Sequence, residues 1–289
     1  MKRWIAASIC LFACSLPEDG LAPIGDASSP PDSSTEEVSV GGDASNEDAA
    51  MADAPTFPDV IDAPIVSAGD ALQFGGGSFV DMGNAPIPTD FTLEAWIKPA
   101  SSTGETYVVA KDMRNQGAGQ FRFGLTSGKL FFVMSDSSGS THGLYNNGYS
   151  LMTSQSIAMN VWTHVAVVKS GATFTLTTNG AVAATFTASA SFGYGGPTVA
   201  FRVAARVDTN GSSPNGVFDG VIDEVRLWNL ARSASQVAST MSTTVPPASA
   251  GLASYWRFDE GSGNTAFDQE NAYTGTLVSS PTWVVSTAF

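Results

Sequence analysis

Asp223 and Glu224 stand side by side in an apolar-rich run, and a pair of carboxylates is what cleavage of a glycosidic bond requires. Consecutive residues of a strand point to opposite faces, so this pair is not expected to flank one bond at the roughly 5 to 9 Å that such chemistry needs. His164 alternates with Trp162, Ala166 and Val168 on another apolar run, the setting of a hydrogen-bonded structural histidine rather than a base. His142 lies in a Ser- and Gly-rich stretch near Asp136, where a solvated loop is expected. Ser, His and Asp are all present, yet no Gly-x-Ser-x-Gly elbow joins a strand to a helix, so nucleophilic catalysis has no support. Binding chemistry has more. Between Ser135 and Tyr149, His142, Tyr145, Asn146, Asn147 and Tyr149 offer aromatic faces and amides suited to sugar hydroxyls. The ligand-binding set read from this stretch is His142, Tyr145, Asn147 and Tyr149, with Asp208 to Asn215 as a second candidate loop. Trp96, Trp162, Trp228, Trp256 and Trp283 all fall in strand-like runs and are expected to serve mainly as core.

The elements that must position these groups begin after an unusual N-terminal segment. Lys2 and Arg3 precede an apolar run from Trp4 to Ala13, the layout of a secretory signal and about half the length of a membrane span. Both cysteines, Cys10 and Cys14, fall here, so the remainder has no thiol and no disulfide. Leu11-Phe12-Ala13-Cys14 resembles a bacterial lipobox, which makes Cys14 the expected lipidated residue and the membrane a partner through that anchor alone. Ser15 after it, in place of Asp, points to the outer membrane by resemblance to lipoprotein sorting signals. From residue 15 to 66 the chain carries twelve Asp or Glu and no Lys or Arg, with few large apolar residues, so it cannot bury enough surface to offset ordering entropy. A disordered acidic linker is expected there. The net charge of -14 argues against nucleic-acid binding, which needs clustered Lys and Arg.

Residues 67–289 read as one all-β domain. Short apolar runs alternate with turn residues at close spacing: 91–98, 107–111, 121–125, 129–134, 161–169, 174–178, 181–187, 199–204, 217–228 and 252–258. Asn179-Gly180 joins two of them as a two-residue hairpin turn. Ser233 with Gln236 three residues on has capping-box spacing, so one short helix is expected before Pro246-Pro247.

Five segments then carry a resemblance. Ala71-Leu72-Gln73-Phe74-Gly75-Gly76, Phe91-Thr92-Leu93-Glu94-Ala95-Trp96-Ile97-Lys98, Trp162 to Val168, Gly220 to Asn229 and Tyr255-Trp256-Arg257-Phe258-Asp259-Glu260-Gly261-Ser262-Gly263 are similar, in order, to the signatures of laminin-G-like (concanavalin-A-like) jelly rolls. The resemblance implies a sandwich of two antiparallel sheets with the first and last strands adjacent, residues 276–278 and 283–285 being the closing strands. It also implies calcium at a corner built by an early Asp and a C-terminal loop. Asp268-Gln269-Glu270-Asn271 matches that loop in part, with Asp268 and Asn271 as the metal candidates, whereas Gly75 stands where the family has the early Asp. The Glu-x-Asp-x-x-Glu pattern of related laminarinase-like enzymes is missing. The expected function is therefore a noncatalytic recognition module for an extracellular carbohydrate or protein ligand. A polysaccharide-active hydrolase or lyase with an unrecognised site, and a structural coat protein, remain as alternatives.

Overall fold

In a computed structural model, the structure describes residues 69–101, 103–111, 121–135, 141–142, 151–188, 199–207 and 213–289. The expected signal segment and the expected acidic linker lie outside them. The described residues belong to a compact unit that spans Asp62–Phe289.

Two antiparallel sheets make the sandwich, as the alternating runs predict. The first runs in the order β11 (Ala181–Thr187), β10 (Thr173–Thr178), β9 (Thr163–Ser170), β3 (Phe91–Pro99), β15 (Gly220–Trp228), β1 (Asp70–Phe74) and β19 (Thr282–Val285), with β16 (Leu252–Trp256) also on β15. The second runs β17 (Thr265–Ala266), β18 (Gly275–Val278), β2 (Phe79–Asp81), β12 (Arg202–Val203), β4 (Glu105–Lys111), β5 (Phe121–Thr126), β6 (Lys129–Ser135) and β7 (Thr141–His142), with β8 (Met152–Ser156) also on β6. A small pair, β13 (Arg206–Val207) and β14 (Pro214–Asn215), stands apart. First and last strands do meet, since β1 pairs with β19.

Alternate residues of the two sheets fill the space between them. Leu72, Leu93, Ile97, Val165, Val167, Leu176, Ile222, Val225 and Leu227 of the first sheet pack in one core with Val80, Phe123, Leu125, Leu130 and Met134 of the second. Aromatic rings bridge the layers: Phe132 lies 5.5 Å from Phe174, Phe121 lies 6.4 Å from Phe91, and Phe201 lies 5.6 Å from Trp256. Each such buried ring contributes about 1.5–3 kcal/mol through area removed from water.

The pairing of β15 with β3 is irregular at its centre. Asp223 faces Trp96 but Arg226 faces Glu94, so two residues of β15 lie opposite Ala95 alone, and Glu224, at φ 52°, is the inserted one. The neighbour changes at the same place, because β1 pairs with Gly220 to Ile222 and β16 with Val225 to Trp228. A bulge of this kind re-aims side chains and defeats simple alternation.

The helix α1 (Ala234–Thr240) carries the expected box: the Ser233 hydroxyl accepts from the Gln236 N–H, and the Gln236 side chain accepts from the Ser233 N–H. It packs on the β10–β11 hairpin at Gly180, where a Cβ would stand 2.6 Å from Ala238. Gly180, at φ 75°, is thus required both by the turn and by the approach of the helix.

Candidate functional site

The outer face of the first sheet gathers the polar side chains that alternate with its core. Thr92, Glu94 and Trp96 of β3, His164 of β9, Arg226 and Trp228 of β15 and Tyr255 of β16 are all buried there. The segment that holds α1 covers them, with Trp96 Nε1 donating to the Met241 carbonyl at 2.6 Å and Arg226 donating to the carbonyls of Thr240 at 2.9 Å and Thr243 at 2.8 Å. Glu94, with no exposed surface, accepts from Trp228 Nε1 at 2.8 Å and from Arg232 at 3.2 Å. Burial lifts its carboxyl above the ordinary range while Arg226 and Arg232 pull it back. Arg232 also lies 4.0 Å over the Trp228 ring.

His164 belongs to this network, and its surroundings favour the neutral imidazole. Burial pushes its imidazole down to about 3, and the charges of Arg226 and Arg232 push the same way. Its Nε2 is 3.7 Å from Glu94, too long for a hydrogen bond, and its Nδ1 has no partner among the described residues. The expectation from sequence is corrected on this point: His164 is structural, but it is not hydrogen-bonded through its ring.

The Asp223–Glu224 pair also departs from expectation. Because of the bulge, both side chains line one cavity of about 60 Å³ together with Gly69, Arg257, Asp259, Ser286 and Phe289. Strand alternation therefore does not keep them apart. Their contacts do occupy them. Asp223 accepts from the Glu224 N–H at 2.8 Å and from the Ser286 hydroxyl at 2.5 Å. Glu224 accepts from Arg226 at 2.5 Å, from the Tyr255 hydroxyl and from Arg257 at 3.5 Å. Burial lifts the Asp223 carboxyl to about 8; the Ser286 hydrogen bond opposes this and the neighbouring Glu224 charge adds to it. The segment after β19 crosses above, with Ser286 on Asp223, Thr287 bonded to Trp162 at 3.1 Å and Phe289 against Trp96 at 6.2 Å.

Asp268 and Asn271, the metal candidates, sit at a turn that closes on itself. Asp268 is buried, and its two oxygens accept from four backbone N–H groups: Tyr255 at 2.8 Å, Glu270 at 3.0 Å, Tyr273 at 3.0 Å and Ala272 at 3.3 Å. Asn271 takes φ 57° and donates its N–H to the Asp268 carbonyl at 2.9 Å. At the other implied corner the Gly75 carbonyl already accepts from the Ser78 N–H at 3.0 Å and hydroxyl at 2.8 Å. Calcium requires about six to eight oxygen ligands with lone pairs turned toward it. The residues present do not fit that ion, since N–H groups occupy the acceptor positions of Asp268. Among the described residues no three His, Cys, Asp or Glu side chains converge on a metal.

Of the ligand-binding candidates, His142 lies on β7 opposite Met134, while Tyr145, Asn147 and Tyr149 lie outside the described residues, as does Cys14. The described part shows an opening that sequence reasoning missed. Thr153, Ser154, Gln155, Ser156 and Ile157, on and just after β8, face Thr178, Val182 and Ala183 of β10 and β11 across an open groove of about 290 Å³. Its signal in the sequence was the run Thr153-Ser154-Gln155-Ser156, too polar to be read as a strand.

Among solved structures, the fold is similar to that of a Bacteroides ovatus protein provisionally assigned as carbohydrate binding, with a TM-score of 0.59 and 20% identity over 77% of this chain and 61% of that one. This chain thus spans about three-fifths of that relative. It is also similar to the heptameric SAP-like pentraxin of Limulus polyphemus, with a TM-score of 0.52 and 15% identity over 76% of this chain and 97% of that one. No curated protein sequence matches the chain significantly. Residues 74–238, more than half of the chain, match the family model of the concanavalin A-like lectin/glucanases superfamily, and together with the antiparallel sandwich this places the chain in that superfamily, in its laminin-G branch.

Proposed function

We propose that the chain is a noncatalytic carbohydrate-recognition module held at the cell surface, outside the cell, by a lipid on Cys14 and a linker over residues 15–66. One observation carries the reading. Among the described residues, the buried carboxyls of the first sheet, Glu94, Asp223 and Glu224, are engaged by arginines, hydroxyls and N–H groups beneath α1 and the C-terminal segment, while a hydroxyl-lined groove stays open elsewhere. A glycosidase needs its two carboxyl groups on either side of an accessible bond, with a substrate cleft between them. A cavity of about 60 Å³ has no room for a sugar ring. The provisional assignment of the Bacteroides ovatus relative to carbohydrate binding supports the same reading by analogy of fold. The test is a panel of immobilised polysaccharides, scored for retention of the full chain and for oligosaccharides released into the supernatant.

A further inference from the structure

We propose that the groove between β8 and the β10–β11 hairpin is a seat for uncharged sugar units; this rests on the carbohydrate reading and names its site and ligand class. The lining contains three kinds of group and no charge. Thr153, Ser154, Gln155, Ser156 and Thr178 supply hydroxyls and an amide, Ile157 and Ala183 supply small apolar surface, and Val182 presents an isopropyl group that is 59% exposed. A pyranose has the same composition: a ring of hydroxyls about an apolar C–H face. An acidic sugar would find no arginine or lysine among the lining residues, and its carboxylate would lose water without a partner.

The groups divide into those that build the groove and those left for a ligand. Thr153 builds it, accepting from the Leu130 N–H at 3.1 Å and donating to the Gln155 carbonyl at 2.7 Å. Ser154, Gln155 and Ser156 are exposed, and their side chains take no hydrogen bond from the described residues. The opposite wall is held in place from behind, because α1 packs on Gly180 at the tip of the same hairpin. Rigid support of this sort lowers the ordering cost of binding.

An added peptide strand is the other occupant that two sheet edges could attract. Among the described residues β11 pairs only with β10, and β8 only with β6. The edge of β11 is broken, however: Leu176 faces Ala184 and Thr177 faces Val182, so Ala183 is an inserted bulge residue inside the groove. Bulges twist an edge away from further pairing. At about 290 Å³ the space suits about one or two sugar rings better than a continuous strand.

The experiment uses the full chain, with laminarin, xylan, mannan and arabinan as neutral probes and alginate and polygalacturonate as acidic ones. Val182→Asp places a charge on the apolar contact and Gln155→Ala removes an amide; both sites are exposed, so the melting temperature should be unchanged. Binding to a neutral probe should weaken more than tenfold in the first variant and roughly fivefold in the second. Retention on a neutral probe with both variants binding like the parent would overturn the groove and leave the carbohydrate reading standing. Retention on acidic probes alone would overturn the ligand class. No retention on any probe would overturn both this proposal and the reading beneath it.

Discussion

Burial favours the protonated form of the Asp223 carboxyl. Its ordinary value of 3.8 is raised to about 8 by burial beneath Ser286, so between those values the folded chain holds a proton that the unfolded chain has released. Stability must then fall as pH rises through that window, by at most about 1.4 kcal/mol per pH unit. His164 acts in the opposite sense. Its imidazole falls from 6.5 to about 3 on folding, so it adds stability as pH rises from about 3 to 6.5 and contributes no slope above that. The Asp223 effect should therefore be clearest between about pH 6.5 and 8. Asp223→Asn keeps an acceptor for the Glu224 N–H and is predicted to flatten the fall of melting temperature across that range. An unchanged slope would locate the proton elsewhere. Residue chemistry of this kind was only partly legible. The sequence shows Asp223 and Glu224 as neighbours, but it does not show that an inserted residue turns both into one cavity, because a bulge depends on β1 and β16 sharing one edge of β15.

At the scale of elements, the long strands were readable, and so were the short closing strands β18 and β19 through the resemblance, whereas short edge strands such as β8 were not. The 91–98 and 181–187 runs return as β3 and β11, since their apolar residues meet a core on one face and tight turns bound them. The α1 cap returns as expected because a capping box is a local contact. β8 was missed because its side chains are mostly exposed at a sheet edge, where no alternation is imposed, and the groove was missed with it. The C-terminal corner teaches the same lesson from the other side. Asp268 was legible as a loop acid, but only the fold shows that its oxygens hold four N–H groups of the turn and of Tyr255. The melting temperature is accordingly predicted to be the same in millimolar calcium and in chelator. Saturation of a real site at 100 times its dissociation constant would stabilise by about 2.7 kcal/mol, so a clear rise with calcium would restore Asp268 and Asn271 as ligands.

The whole molecule is proposed to combine an anchor, a reach and a rigid head. If Cys14 is the lipid attachment point, Cys14→Ser should move the protein from the membrane fraction into soluble form; continued membrane association without acyl mass on the mature N-terminus would contradict it. The head is where the function is decided, and superfamily membership alone does not decide it, since the same sandwich carries both lectins and glucanases. The proposed noncatalytic reading rests on the hydrogen-bonded carboxyls of Glu94, Asp223 and Glu224 and on the uncharged groove that remains open. The most direct measurement is the polysaccharide panel on the full chain, with bound protein and released oligosaccharide quantified in the same wells over many hours. The account predicts saturable retention on at least one neutral polysaccharide with no accumulation of products, and products that grow with time and protein concentration would contradict it.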